Sequence, residues 1–444
     1  AGMEHPGRVD RVLRRLVDVR PSELAAVAWA WLYFFGVLSA YYVIRPIRDE
    51  LGIAGGVGNL PWLFLGTLAG MVLCNPLFGA LVSRLPRRRF IAWSYRFFML
   101  NLAVFFVLMR TTEAEVQVWV GRVFFVWVSV FNMFVVSIFW ATMVDLFTRE
   151  QGKRLFGFIA AGATIGAIVG SFLTATLVRI AGSANLLIVS AALLELAVLS
   201  FFRLTKVATV GEAAEAVIRH EAPIGGRAWA GLTQVVRSSY LLGICGYMLL
   251  FTSLSVFLYF QQATIVEAAV ADRAARASLL ARIDLAVNVI TLIVQTFFTA
   301  RIIRTMGIAL TLTLLPALTL VGFAVLGLAP TLVTLMAFQI LRRAGEYALA
   351  RPARELLFTT VGREEKYKAK SLIDTFVYRV GDQIGAWTYA GLAALGLGVT
   401  GIAWVAVPLS AAWLVNGWRL GRRQEQMVLT RASSELAAER VDER

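Results

Sequence analysis

The stretch Tyr41-Tyr42-Val43-Ile44-Arg45-Pro46-Ile47-Arg48-Asp49-Glu50 gathers phenols, guanidiniums and carboxylates around one proline, directly behind an apolar run. On a helix Arg45 and Asp49 share a face and can pair. Pro46 removes a backbone donor and should kink that helix. A kinked helix showing Arg45 and Arg48 beside Tyr41 suits an anionic solute, because arginine presents fork-like donors to phosphate or carboxylate. The plainer alternative is an ion pair at the outer mouth, with Arg48 snorkelling to the interface.

Similar groups recur inside other apolar runs. Asp284, Asn288, Thr291 and Gln295 are spaced by four, three and four residues, which makes one polar stripe. The stripe reads as the lining of a cavity or as an interhelical hydrogen-bond seam, and Asp284 is a candidate proton carrier. Gln339, Arg342, Arg343, Glu346 and Tyr347 form a second group. Glu346 lies within a helical step of either arginine, so one internal ion pair is expected and the other arginine, Arg343 in our assignment, is left for a solute. Ser371, Asp374, Tyr378 and Asp382 share a helical face, with Arg379 three residues before Asp382. These groups read as transport chemistry or as a neutral structural network. Asp145 and the run Arg149-Glu150-Gln151-Gly152-Lys153-Arg154 form an inner gate, through Glu150 and Lys153, or a solvated turn. Glu195 stands alone and reads as a packing or inter-helix contact.

The elements that must position these groups are membrane helices. Of 444 residues, 59% are hydrophobic and 16% charged, against about 25% charged in an average soluble domain. A charged side chain at the centre of a membrane helix costs about 2.5–3.5 kcal/mol on insertion scales, so each needs a partner or a wet cavity. A spanning helix needs about 20 apolar residues. Such runs are 24–50, 60–82, 90–109, 118–148, 155–180, 184–202, 239–267, 280–303, 308–328, 331–358, 370–395 and 400–420. The first, fourth and tenth are longer than a bilayer requires and should tilt or project into water. Placing both termini in the cytoplasm leaves only Arg110, Arg179, Arg273 and Arg276 outside, and puts Arg87-Arg88-Arg89 and Lys366, Lys368 and Lys370 inside. The expected divisions are a cytoplasmic segment 1–23, a six-helix lobe 24–202, a cytoplasmic linker 203–238 with a short surface helix over 211–221, a second six-helix lobe 239–420 and a cytoplasmic tail 421–444. Residues 8–20 are arginine-rich and no signal peptide is expected.

Composition also excludes function classes. Cys74 and Cys245 both lie in apolar runs, which argues against a disulfide framework. His5 and His220 lie outside every apolar run, which argues against a histidine metal site, a haem bundle or a histidine proton relay in the membrane. The net charge of +15 is that of cytoplasmic loops and calls for no nucleic acid. No phosphate-binding loop, nucleophile elbow or metal-binding cysteine cluster occurs, so neither an enzyme nor a cofactor or metal is expected.

The two halves share a pattern. Leu146-Phe147-Thr148 precedes a basic stretch and then Gly166 and Gly170; Leu357-Phe358-Thr359 precedes a basic stretch and then Gly381 and Gly385. Parallel repeats of a two-lobed transporter give this kind of internal likeness. Gly162, Gly166 and Gly170, four apart, predict a small-xxx-small seam for close helix packing.

Three segments resemble the nucleotide transporters, the ATP/ADP translocases of plastids and obligate intracellular bacteria and their bacterial relatives. Arg45-Pro46-Ile47-Arg48-Asp49 is similar to the family's Arg-x-x-Lys-Asp. Phe139-Trp140, then Glu150-Gln151-Gly152-Lys153 and Leu155-Phe156-Gly157, resemble its helix 4–5 region. Tyr347, Pro352, Arg354, Glu355, Lys366, Lys368, Lys370, Ile373-Asp374, Arg379 and Gly381 resemble its helix 10–11 motif. The resemblance implies a fold similar to the major facilitator superfamily. Asp382 and Glu346 stand where the family's exchangers carry lysines, and Phe260, beside Gln261 and Gln262, where they carry a glutamate. These reversals imply a solute less negative than ATP, or coupling to protons in place of strict nucleotide exchange.

The expected protein is an all-α integral membrane carrier of about twelve helices, working by alternating access in a bacterial inner membrane. A cavity lined by the first, fourth, seventh, eighth, tenth and eleventh helices would bind a small anionic solute through Tyr41, Arg45, Arg48, Asn288, Arg343, Tyr347, Tyr378 and Arg379. Asp49, Glu150, Lys153, Asp284, Glu346, Asp374 and Asp382 would form switching ion pairs or carry protons. Membrane lipids, and protons or a counter-solute, are its expected partners. A lipid flippase and a non-transporting receptor or scaffold are the alternative readings of the same fold.

Overall fold

The computed structural model describes residues 19–84, 87–207, 238–361, 369–370 and 372–442. The linker helix expected over 211–221, together with Lys366, Lys368 and Ser371, lies outside them, and Arg87-Arg88-Arg89 and Lys153 are described as backbone only. The apolar runs are helices throughout: α1 Leu24–Ala54, α2 Leu60–Arg84, α3 Arg87–Thr111, α4 Ala114–Leu146, α5 Arg149–Ala181, α6 Ser183–Val207, α7 Ser239–Ala269, α8 Arg273–Phe297 and α9 Thr299–Leu328. Then α10 runs from Leu332–Gly345 through a π-helical segment, Glu346–Ala350, into Arg351–Leu357. A second π segment, Ile373–Val377, leads into Tyr378–Ala394 as α11, and α12 is Val399–Asp442. Among the described residues ten helices are long and apolar enough to cross a membrane. The other two, α10 and α11, are divided by their π segments.

Polar residues set the starts. Thr148 and Gln151 close a capping box on α5, each side chain meeting the other's backbone N–H. Ser238 caps α7 and Thr331 caps α10 by accepting from the backbone N–H three residues on. The turns after α5 and α11 pass through Gly182 and Gly396, whose φ values of 80° and 87° suit glycine.

The helices form two compact units. Unit 1 comprises Ala1–Gly55, Gly66–Gly225 and Asp272–Leu285; unit 2 comprises Gly56–Leu65, Gly226–Ala271 and Ala286–Arg444. The first half of α8 thus belongs to unit 1. Within unit 1, α1 packs on α4, α5 and α6, and α3 on α4 and α6. Within unit 2, α7 packs on α10, α11 and α12, and α9 on α10 and α12. The same pairing plan is repeated six helices later, as parallel repeats require.

Glycines hold the central pair of each unit. A Cβ on Gly162 or Gly166 would lie 2.6 or 2.5 Å from the carbonyl oxygens of Trp31 and Phe35, and Gly170 abuts Ser39 in the same way. The rows advance together, so α5 runs parallel to α1 at backbone contact. In unit 2, Gly381 meets Thr252, and a Cβ on Gly385 would lie 2.7 Å from the Ser253 Cα. Between helices in lipid, where apolar burial drives little, such close approach is a main source of cohesion. Around the unit 1 seam sits an aromatic core: Phe34 stacks on Phe139 at 3.8 Å, and the Tyr33 and Tyr95 hydroxyls bond at 2.8 Å.

Candidate functional site

Each unit carries its own set of charged groups. In unit 1, Arg45 on α1 donates from Nη1 to Oδ1 of Asp284 on α8 at 2.8 Å, with side chains 17% and 4% exposed. Its guanidinium also lies 5.5 Å from the centre of the Tyr42 ring. The expected pair of Arg45 with Asp49 does not form: Asp49 meets Arg48 at 3.5 Å, and Arg48 sits 4.2 Å over the Phe125 ring. An i,i+4 pair on one helix gains only a few tenths of a kcal/mol, about 0.2–0.5, so a buried carboxylate on another helix wins. Tyr41 is half-buried with its ring edge-on to Tyr42.

One turn and a half beyond Arg45, buried Glu50 accepts from Arg273 at 2.9 and 3.3 Å through both oxygens and lies 4.0 Å from Arg276. Neither Glu50 nor these arginines was singled out as a site from sequence; the signal was there, a carboxylate at an apolar helix end and two arginines at the start of another apolar helix. Further along α8 the polar stripe is buried at Asn288 and Thr291 and exposed at Gln295. Among the described residues, the Asn288 Nδ2 and Thr291 Oγ1 atoms are buried without hydrogen-bond partners. Gln295 does not line a cavity with them: it donates from Nε2 to the Tyr347 carbonyl at 2.9 Å.

That carbonyl belongs to the α10 π segment. Gln295 caps Tyr347, and Thr299 caps the Ala348 carbonyl at 2.7 Å. These side chains satisfy oxygens that a widened helix turn offers, which is how the segment is held. Around it stands the charged set of unit 2. Arg342 is 3% exposed and donates only to neutral groups: Thr319 Oγ1 and the Phe251 carbonyl at 3.3 Å and Ser255 Oγ at 2.8 Å. Among the described residues, then, Glu346 acts on Arg342 only at a distance and makes no ion-pair contact with it. Glu346 instead lies 3.6 Å from Arg354, two turns on, both nearly buried. Arg343 and Tyr347 are half-buried.

On α11, Arg379 donates to Asp382 at 3.2 Å and lies 5.6 Å from the Tyr378 ring centre. Tyr378 stands edge-on to Phe251. The shared face expected for Asp374, Tyr378 and Asp382 is broken. Asp374 is exposed and Asp382 buried, because the π segment at Ile373–Val377 inserts an extra residue per turn and rotates what precedes it. Lys370 pairs with Glu355.

At the start of α1, Glu23 accepts from Gln151 Nε2 at 3.0 Å, Arg154 Nη2 at 2.9 Å and the Arg20 backbone N–H at 3.0 Å. Burial works against its charge, but those three donors outweigh it and hold the carboxyl below its ordinary value. Glu150 of the expected gate is exposed on the first turn of α5, and the side chain that its turn anchors is Glu23. Glu195 makes an inter-helix contact, as read from the sequence: it meets Arg96 of α3 at 3.7 Å on an open face. Cys74 and Cys245 are free.

No protein-family model matches the chain, and no curated protein matches it in sequence. Solved structures do. The chain is similar to a bacterial metal transporter (TM-score 0.60, 14% identity, covering 90% of this chain and 98% of that one). It is similar to a bacterial homologue of the iron transporter ferroportin in an inward-facing state (0.62, 15%, 90% and 98%). It is also similar to an auto-inhibited peptide transporter of the POT family (0.58, 14%, 89% and 96%). At such identities the likeness establishes a shared fold: an all-α, multi-pass, major facilitator-type membrane architecture.

Proposed function

We propose that this chain is a secondary carrier that moves a polar, anionic solute, phosphorylated, nucleotide-like or an organic acid, across a bacterial inner membrane by alternating access, with both termini cytoplasmic. The observation that carries the reading is Arg342. It is almost fully buried in an apolar helix, yet every hydrogen bond it makes is to a neutral oxygen. A guanidinium in lipid surroundings is costly unless it is used, and a fork of donors without a contacting carboxylate is suited to an anion. In unit 1, Arg45 and Arg48 would offer contacts from beside Tyr41 and Tyr42; in unit 2, Asn288 offers an amide that is unsatisfied among the described residues. Arg343, Tyr347, Tyr378 and Arg379 would complete the solute contacts in unit 2. Asp49, Asp284, Glu346 and Asp382 would exchange partners or protons as the carrier switches; Glu150, Lys153 and Asp374 would serve the inner face. The resemblance to nucleotide transporters supports a phosphorylated solute, and the acidic Glu346 and Asp382 favour one of low charge.

The test is uptake into proteoliposomes of labelled nucleotides, sugar phosphates, dicarboxylates, peptides and divalent metals, each with and without a pH gradient. Saturable uptake of an anion, lost in Arg342→Gln and Arg45→Ala, is expected. Uptake of metals or peptides but of no anion would overturn the reading, and undiminished uptake by Arg45→Ala would remove that residue from the mechanism.

A further inference from the structure

The flank of unit 1 formed by α5 and α8 bears a groove of about 520 Å³ that the carrier reading does not use. Phe172, Thr176, Arg179, Ile180, Arg282 and Leu285 line it. Its walls face outward: Phe172 is 53% and Ile180 86% exposed. Two guanidiniums in this apolar setting have no hydrogen-bond or ion-pair partner among the described residues.

Chain direction makes the two arginines converge. α5 is parallel to α1, as the glycine rows show. α8 is antiparallel to α1, since Glu50 meets Arg273 while Arg45, further back, meets Asp284. Ser278 Oγ donates to the Ala175 carbonyl at 2.7 Å and pins α8 to α5. Side chains on a helix lean toward its N-terminus. Arg179 therefore leans back along α5, Arg282 leans back along α8, and in an antiparallel pair those leans point at each other. Arg179 sits in the last turn of α5, within reach of the interface. Arg282 lies nine residues into α8, or roughly 13 Å along its axis, which is almost half of a hydrocarbon layer about 30 Å thick.

We infer that this groove is a binding site for an anionic phospholipid. The phosphate is clamped between Arg179 and Arg282, and an acyl chain lies along Phe172, Ile180 and Leu285. The charge matches, the walls are apolar, and arginine forks suit a phosphodiester.

The experiment uses the full-length protein in neutral micelles with added phosphatidylglycerol, phosphatidylcholine, or inorganic phosphate. Phosphatidylglycerol should raise the melting temperature and remain as one retained lipid in native mass spectrometry. Arg179→Gln and Arg282→Gln should each cut that shift at least twofold, whereas Arg96→Gln, an exposed arginine elsewhere in the unit, should keep it. Full shifts in both groove variants, equal shifts with phosphatidylcholine, or a shift reproduced by inorganic phosphate would each overturn the proposal. Should the glutamine variants fail to fold, phenylglyoxal modification of the wild type decides: phosphatidylglycerol should protect Arg282 relative to phosphatidylcholine, and equal modification overturns the site.

Discussion

Replacing Asp284 alone should damage the protein more than replacing Asp284 and Arg45 together. The pair meets at 2.8 Å with side chains 4% and 17% exposed. Unit charges about 4 Å apart attract by about 4 kcal/mol at an effective dielectric near 20, and desolvation of the two ions offsets most of that. The intact pair therefore contributes little net stability. Removing one partner is different, because the remaining ion keeps its desolvation and loses its attraction, a cost of about 3–5 kcal/mol. Arg45 keeps some exposure and the Tyr42 ring at 5.5 Å, which puts Asp284→Asn at the lower end, about 3 kcal/mol. Arg45→Met should cost a similar amount or less, by removing the 2.8 Å contact from Asp284. The combined variant Arg45→Met/Asp284→Leu should cost about 1 kcal/mol or less. Denaturant unfolding of the four proteins in one detergent closes the cycle. A coupling energy of about 2 kcal/mol or more is expected, and additivity within about 0.5 kcal/mol, the level of independent sites, would refute the reasoning.

Gly166→Ala should push α5 off α1, since its Cβ would sit 2.5 Å from the Phe35 carbonyl; overpacking of about 1–3 kcal/mol is expected, while Gly157→Ala, with nothing within 4 Å, should leave the melting temperature unchanged or raised. Glu23 has a folded-state pKa below its ordinary value of 4.5, so its contribution is complete above that value and is lost as pH falls through the folded pKa. Glu23→Gln should accordingly lower stability at neutral pH and flatten the decline of melting temperature on the acid side, and an unchanged acid limb would exclude Glu23 as its source. Asp382→Asn should lower the melting temperature and Asp374→Asn should leave it nearly unchanged, because only the former is buried; equal shifts would mean the π segment does not turn Asp374 away.

Helix positions and the central seam were legible because they depend on local quantities. Twelve apolar runs mark twelve helical elements, and glycines at steps of four can serve only where backbones meet. Partner choice was not legible. Arg45 prefers a carboxylate 239 residues away to one four residues away, and no spacing rule contains that information. The π segments were hidden for the same reason. Glu346–Ala350 and Ile373–Val377 contain no glycine or proline to mark a break. The α10 segment is held by Gln295 and Thr299, which lie around fifty residues earlier. Glu346 consequently meets Arg354, two turns on, in place of an arginine one turn back.

The repetition of packing without repetition of chemistry separates scaffold from function. Gly166 against Phe35 and Gly385 against Ser253 fix backbone to backbone in corresponding helix pairs, and a contact of that kind leaves no side chain to rearrange. It holds each pair as a block whatever the charge pattern beside it. The ionisable groups follow no such repeat: unit 1 matches Arg45 with Asp284 on another helix, whereas in unit 2 Glu346 meets Arg354 on its own helix and hydroxyls and a carbonyl hold Arg342. Neutral oxygens solvate a guanidinium without neutralising it, and Glu346, the carboxylate whose charge also acts on Arg342, makes its contact with Arg354. Under the proposed carrier function, the Arg342 guanidinium would be the group that meets the anion, since no carboxylate contacts it among the described residues.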